Sequence, residues 1–210
     1  PVAAYYATKK ACEPLQLIYN YKDHNVYAVN EGKESMDVVA TVKIYDADSK
    51  LIDEQSRTFS SAYRKTVKAF DLNGFQGAAH FVALELADAD GKFIADNFYC
   101  IGAKPNVYDW EDYTWYYTPV VEFTDLSFAF AQPEADIQMT VEAQDGKYTV
   151  TLVNNSAVIS YMNILKAKDA DGELVVPAFW SDNFFPLLPG QTKTVTCRAD
   201  VKGVHMELDM

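Results

Sequence analysis

The sequence predicts an all-β protein made of two tandem β-sandwiches. Apolar and polar residues alternate with a period of two from Leu15 onward, which is typical of strands with one buried and one solvated face. Clusters rich in Asp, Asn and Gly separate these segments at intervals of about 8–12 residues, the spacing found in sandwich folds. With 49% hydrophobic and 23% charged residues, the chain has the composition of a globular protein.

The first half shows this pattern in strands and turns. Segments 38–45 and 81–86 alternate between an apolar face and a mixed face. Turn clusters 46–49, 71–74 and 88–91 separate the strands, and in them Asp supplies local hydrogen bonds while Gly permits a positive φ. We therefore predict an immunoglobulin-like sandwich over residues 15–103.

The second half repeats the pattern after about residue 120. Segments 137–142 and 148–152 alternate around the turn 144–147, which predicts a hairpin. We predict a second immunoglobulin-like sandwich over residues 120–210.

An internal similarity supports duplication. The segment 88–98, Asp-Ala-Asp-Gly followed by Asp-Asn-Phe, recurs with five extra residues at 169–184. Only residues 3–11 show a helical pattern, so residues 1–14 are predicted to be a short helical remnant of a junction with a preceding domain. Because the chain starts at Pro1 rather than Met, we expect it to be a piece of a longer polypeptide.

Charge and hydropathy exclude two classes of partner. Thirty acidic against eighteen basic residues give a net charge of −12, which repels a phosphate backbone and an anionic membrane surface. No segment approaches the roughly 18 consecutive apolar residues of a membrane span. We predict a soluble chain that binds neither nucleic acid nor membrane.

The sequence has no motif for a cofactor, a metal ion or a catalytic centre. Cys12, Cys100 and Cys197 are too widely spaced for a zinc site or a disulfide framework, and they are expected to be buried or half-buried thiols. His80 opens a predicted strand and is expected to be a packed or capping side chain. The Asp-x-Asp-Gly turns lack the later ligands of a calcium loop, so we interpret them as hairpin turns.

The segment 104–119 holds six Trp and Tyr residues, where chance placement of the aromatic residues would give about two. Two interpretations remain open. The favoured one is an interdomain plug, because leaving six rings exposed is costly. The other is a sugar-binding surface, in which flat rings stack on pyranose faces and neighbouring carboxylates bind hydroxyls. The candidate sugar-contacting residues are Trp110, Trp115, Tyr117 and Trp180.

The start of the chain resembles a known family. A pattern of Tyr, Lys-Lys and Glu-Pro spans residues 5–14, and Tyr19-Asn-Tyr21 follows it. It is similar to the junction after the catalytic barrel in glycoside hydrolase family 2, in the branch of exo-β-mannosidase, exo-β-glucosaminidase and mannosylglycoprotein endo-β-mannosidase. Segments 179–184 and 187–192 resemble the last strands of the terminal sandwich in the same branch.

The resemblance implies that the catalytic glutamates lie upstream of this chain, so no residue here inherits a catalytic role. The two sandwiches would buttress the catalytic barrel and help to wall its substrate entrance, in a periplasmic or extracellular enzyme. The partner would then be the barrel, with glycan as a further possibility. Because such a fragment would leave Tyr5–Ala11 apolar and uncovered, we expect a loosely ordered start or a weak homodimer.

Two alternatives are retained. A free-standing carbohydrate-binding or adhesion module would use the exposed aromatic residues to bind glycan directly. A complete jelly-roll glycosidase is disfavoured, because two small sandwiches leave no long concave sheet for a pair of catalytic carboxylates.

Overall fold

The computed structural model describes residues 2–201 and 203–210 and confirms the all-β prediction. The chain forms two compact units. We call Lys10–Ala131 the first sandwich, and residues 132–210 together with the chain up to Lys9 the second sandwich. Pro1, the first residue of the predicted remnant, lies outside the described residues. The finer predicted domain boundaries, after residues 14, 103 and 119, stay predictions.

Helical structure among the described residues is short. None of these helices is long and apolar enough to cross a membrane, within the ranges given above. The elements are the helix α1 (Ala3–Ala11), a single 3₁₀ turn (Asn73–Phe75) and the helix α2 (Ser127–Phe130).

The strands of the first sandwich are β1 (Leu15–Asn20), β2 (Asn25–Asn30), β3 (Met36–Asp46), β4 (Leu51–Ser61), β5 (Lys65–Asp71), β6 (His80–Asp88), β7 (Phe93–Ile101), β8 (Val107–Tyr108) and β9 (Val120–Glu122). They form two antiparallel sheets, with strand orders β1-β2-β5 and β4-β3-β6-β7. The short strands β8 and β9 pair separately and form a hairpin.

The core of the first sandwich follows the alternation predicted from sequence. On β3, the alternate residues Val38, Ala40, Val42 and Ile44 are fully buried, and the residues that alternate with them over 39–43 are partly exposed. Val26 on β2 and Leu84 on β6 belong to the same core, so both sheets contribute their inward faces to it. This packing of two inner faces is the architecture expected of an immunoglobulin-like sandwich.

The strands of the second sandwich are β10 (Ile137–Gln144), β11 (Lys147–Asn154), β12 (Ser160–Lys168), β13 (Phe179–Trp180), β14 (Phe185–Leu187), β15 (Thr192–Arg198) and β16 (His205–Asp209). They also form two antiparallel sheets, with strand orders β10-β11-β15-β13 and β14-β12-β16. The core between them contains apolar side chains from both sheets, among them Val150, Leu165 and Val195.

Helix α1 contributes a side chain to the second core. Tyr6 is 3% exposed and its ring centroid lies 5.9 Å from that of Phe184. Lys9 Nζ donates a hydrogen bond to the carbonyl oxygen of Ser181. The expectation that Tyr5–Ala11 lies uncovered is therefore wrong for Tyr6, although Tyr5 is exposed.

Three Asp-rich segments, which begin at residues 46, 88 and 169, form the same type of turn. In each, the backbone N–H of the first Asp donates across the turn over 2.9 Å, to the carbonyl of Lys50, Lys92 or Glu173. The same Asp side chain accepts from the backbone two and four residues later. The fourth turn residue has a positive φ in each case. Because paired strands or a β-bridge flank each turn, the hairpin-turn interpretation is confirmed. The three leading residues are Asp46, Asp88 and Asp169.

A second repeated feature is a buried asparagine at the end of a strand. Asn30 Nδ2 donates to the carbonyl oxygens of Glu34 (3.0 Å) and Ser61 (2.8 Å). Asn154 Nδ2 donates in the same way to Val158 (2.8 Å) and Leu187 (2.9 Å). Both asparagines are at most 2% exposed, so each fixes one corner of its sandwich. This shared corner supports a duplicated architecture.

Cys12, Cys100 and Cys197 are not joined in disulfides. Cys100 is half-buried and Cys197 is buried, as expected, and burial raises the pKa of Cys197 to about 11. Cys12 is exposed, which corrects the expectation that it is covered.

His80 is 3% exposed, and its Nδ1 lies 2.9 Å from the carbonyl oxygen of Ala78. Burial lowers the pKa of its imidazole. The prediction of a packed side chain is therefore confirmed.

Candidate functional site

The aromatic segment forms a hairpin of the first sandwich, which we call the aromatic hairpin (residues 107–122). Strands β8 and β9 pair at its base, and the backbone N–H of Asp109 donates to the carbonyl of Pro119 over 2.9 Å. At its tip the backbone N–H of Thr114 donates to the carbonyl of Tyr117 over 2.7 Å. These bonds hold the aromatic side chains on a short two-stranded arm.

The rings of the aromatic hairpin are exposed. Trp115 is 93% exposed, and the other two predicted contact residues of this segment, Trp110 and Tyr117, are 68% and 60% exposed. Contacts between neighbouring rings help to orient them. The Trp115 and Tyr116 ring centroids, for example, are 5.0 Å apart with nearly perpendicular planes. The interdomain-plug interpretation of this segment stays a prediction.

Carboxylates lie between the rings. Asp109 Oδ1 accepts hydrogen bonds from the backbone N–H groups of Glu111 (2.9 Å) and Asp112 (3.1 Å), so the chain bends at this point. Glu111 and Asp112 are exposed. The hairpin therefore offers open aromatic faces together with hydrogen-bond acceptors.

Trp180 is placed differently. It lies on β13, is 9% exposed and packs in the core of the second sandwich. A ring buried in a core has no open face for a sugar, so the structure does not support Trp180 as a contact residue. The exposed aromatic residue on this strand is Phe179, and the Arg198 guanidinium lies 5.0 Å from its ring centroid.

A cleft of about 560 Å³ in the first sandwich was not predicted from the sequence. Its wall includes the half-buried His24 and the exposed rings of Tyr21 and Tyr108. Polar side chains from two loops, Gln76 and Asn106, complete the lining together with Lys104. The lining residues come from segments far apart in sequence, and the sequence signals near them were the Tyr19-Asn-Tyr21 run and the aromatic segment 104–119.

The rings beside the cleft are fixed by one another. The Tyr19 and Tyr21 centroids are 5.1 Å apart with perpendicular planes, and Tyr99 lies 6.1 Å from Tyr21. The Tyr19 hydroxyl is 2.7 Å from His24 Nδ1, and the Tyr99 hydroxyl accepts from the Tyr19 backbone N–H at 3.2 Å. Tyr19 itself is 3% exposed, so a buried anchor orients the exposed Tyr21 ring.

One glycine brings two walls of the cleft together. A Cβ on Gly102 would lie 2.1 Å from Thr124 Oγ1 and 2.9 Å from the carbonyl oxygen of Asp125. Only glycine permits this approach without a shift of the backbone. Asn106 Oδ1 accepts from the backbone N–H of Thr124 at 2.6 Å and ties the same two segments together.

Comparison with known protein families matches both sandwiches. Residues 22–102 match the family described as "Mannosidase Ig/CBM-like domain", and residues 115–209 match the "Exo-beta-D-glucosaminidase Ig-fold domain". The chain belongs to the immunoglobulin-fold region of the glycoside hydrolase family 2 exo-β-glucosaminidases and mannosidases. The family resemblance seen at residues 5–14 is thus confirmed.

Individual relatives agree with this assignment to the immunoglobulin-fold region. The chain is 31% identical to an exo-β-D-glucosaminidase of Amycolatopsis orientalis over 95% of its own length and 21% of the relative's. It is 29% identical to an exo-β-D-glucosaminidase of Arthroderma benhamiae, of which it covers 25%. The chain therefore spans about a quarter of the length of these relatives.

Solved structures show the same fold. The crystal structure of an Amycolatopsis orientalis exo-chitosanase matches 98% of this chain with a TM-score of 0.88 and 29% identity, and the chain covers 26% of that protein. A β-D-mannosidase from Dictyoglomus thermophilum matches with a TM-score of 0.67 at 17% identity, which indicates a shared fold.

Proposed function

We propose that this immunoglobulin-fold region is a non-catalytic accessory part of a periplasmic or extracellular β-glycosidase of the exo-glucosaminidase or mannosidase type. The observation that carries the proposal is that the match to both families is confined to immunoglobulin-fold domains, about a quarter of each relative. In this role the two sandwiches buttress a catalytic barrel, and the barrel carries the acid/base and nucleophile.

The aromatic hairpin is the surface we assign to this role. A covered aromatic side chain buries about 150–250 Å², and a contiguous apolar patch on a protein surface usually marks an interaction site. Trp115 and Tyr116, which are 93% and 73% exposed, are the residues with most to gain from being covered. We propose that the hairpin packs against the catalytic barrel and forms one wall of its substrate entrance.

The test measures whether this region binds the rest of its natural polypeptide. The 210-residue chain and the remaining part of that polypeptide would be produced separately, and one would be titrated with the other in a calorimeter. We expect a dissociation constant of about 1 μM or tighter, since a stable interface buries on the order of 1,200–2,000 Å². The triple variant Trp110→Ala, Trp115→Ala, Tyr117→Ala should bind at least about tenfold more weakly.

The matched control is Phe93→Ala. Phe93 is an apolar side chain of similar exposure (57%) at the start of β7, outside the hairpin, and its removal should leave the affinity unchanged. Absence of association, or equal affinity of the triple variant and the unchanged chain, would contradict the assignment.

A second candidate function is glycan binding by the same hairpin, favoured by the open ring faces and the neighbouring Glu111 and Asp112. Here Trp110, Trp115 and Tyr117 stack on sugar rings. Titration of the chain with mannan, chitosan and N-glycan oligosaccharides should then quench tryptophan fluorescence, and Trp115→Ala should remove most of the change. A titration that gives no fluorescence change with any of these oligosaccharides excludes this candidate.

The same exposed rings favour a weak homodimer of the isolated chain, which light scattering detects.

A further inference from the structure

The cleft beside Tyr21 has the size and lining of a ligand site. Its volume of about 560 Å³ lies within the range of roughly 300–1,000 Å³ that is typical of small-molecule sites. It combines aromatic rings with amide side chains, Gln76 and Asn106, at its edges. It lies wholly within the first sandwich, and Tyr108 is the lining residue that it shares with the aromatic hairpin.

The aromatic wall is prepared to stack against a flat ligand face. Tyr21 is 63% exposed, yet its ring is held by edge contacts with Tyr19 and Tyr99. An exposed ring that is already ordered loses little conformational freedom when a ligand covers it. Tyr108 offers a second exposed ring at the cleft, and its centroid lies 5.7 Å from that of Trp110.

The polar lining is also ordered. Gln76 Nε2 donates to Asn73 Oδ1 at 3.0 Å, which fixes the amide plane. Asn106 is fixed by its bond to the Thr124 backbone and by donation from Nδ2 to the Tyr108 hydroxyl at 3.3 Å. Oriented amides beside aromatic rings match the pyranose ring of a sugar, which has an apolar face and a rim of hydroxyl groups.

The charge of the lining selects among sugars. Although 30 of the 210 residues are acidic, no carboxylate belongs to the described residues that line this cleft, and Lys104 is the charged side chain there. An ammonium group on a ligand would be repelled by Lys104 and would find no anion to pair with. The cleft therefore favours an uncharged sugar over a protonated amino sugar.

We propose that this cleft binds one neutral pyranose residue of a glycan, with Tyr21 as the stacking platform and Gln76 and Asn106 as hydrogen-bonding groups for its hydroxyls.

The experiment titrates the 210-residue chain with three probes in a calorimeter: β-1,4-mannotriose, N-acetylchitotriose and the deacetylated, cationic chitotriose. At least one of the two neutral trisaccharides should bind, and chitotriose should bind at least about tenfold more weakly than that probe. Tyr21→Ala should weaken binding of the neutral probe at least about tenfold, a loss within the range of one aromatic stacking contact. Tyr21→Phe keeps the ring and should retain the affinity.

Two controls make the result specific to the cleft. Tyr63→Ala removes another exposed tyrosine of the first sandwich (42% exposed), and Phe93→Ala removes an exposed ring at the start of β7, away from the cleft lining (57% exposed); neither should change the affinity. Gln76→Ala provides a second variant within the cleft and should weaken binding. The proposal is overturned if neither neutral probe binds, if chitotriose binds as well as they do, or if Tyr21→Ala binds like the unchanged chain. These outcomes are independent of whether the chain associates with a catalytic barrel.

Discussion

Replacing Asn154 by alanine is expected to lower the free energy of unfolding of the second sandwich by about 3 kcal/mol. The side chain donates to two carbonyl oxygens and accepts from the backbone N–H of Ser156 at 3.0 Å. Asn154 is fully buried. When its side chain is removed, water cannot reach the two carbonyl oxygens and the N–H group, and they lose these hydrogen bonds without replacement. Each unsatisfied buried group costs about 1–3 kcal/mol. Urea unfolding followed by Trp180 fluorescence measures the change, because Trp180 is the buried tryptophan of this sandwich.

The neighbouring residue supplies the control. Asn155 is exposed, and Asn155→Ala should shift the transition by less than about 0.5 kcal/mol. In the first sandwich, Asn30→Ala should cause a loss similar to that of Asn154→Ala, but in the transition of its own sandwich. An Asn154→Ala variant as stable as the unchanged chain would show that this corner contributes little to the fold.

Tyr6→Ala is expected to cost about 4 kcal/mol and to release helix α1. Tyr6 is 3% exposed and belongs to the second core, and removing a buried aromatic side chain typically costs about 3–5 kcal/mol. Burial also raises the pKa of its hydroxyl. Urea unfolding gives the stability change, and amide exchange of residues 3–11 shows whether the helix remains formed.

The adjacent tyrosine is the matched control. Tyr5 lies on the same helix and is 54% exposed, so Tyr5→Ala should cost less than about 1 kcal/mol. Equal effects of the two substitutions would mean that the helix is only loosely attached, as expected from the sequence.

The architecture was predictable because each sandwich signals its strands locally. The alternation on β3, the Asp turns after residues 46, 88 and 169, and the hairpin at residue 145 each depend on residues close together in sequence. The family assignment was predictable for the same reason, since residues 5–14 form one continuous motif. Local patterns of this kind can be recognised in the sequence without knowledge of the tertiary contacts.

The errors concern burial, which depends on residues distant in sequence. Tyr5 and Tyr6 are chemically identical neighbours, and the contact of Tyr6 with Phe184 distinguishes them. The same applies to Trp180, which the core of the second sandwich covers. The cleft beside Tyr21 was missed because its lining joins residues as distant as His24 and Asn106.

The proposed function implies that this immunoglobulin-fold region carries no catalytic centre of its own. The most direct measurement is the hydrolysis of nitrophenyl β-glucosaminide and nitrophenyl β-mannoside by the purified 210-residue chain. We predict no turnover above the uncatalysed rate with either substrate. Turnover that a single Asp or Glu substitution within these residues abolishes would contradict the account.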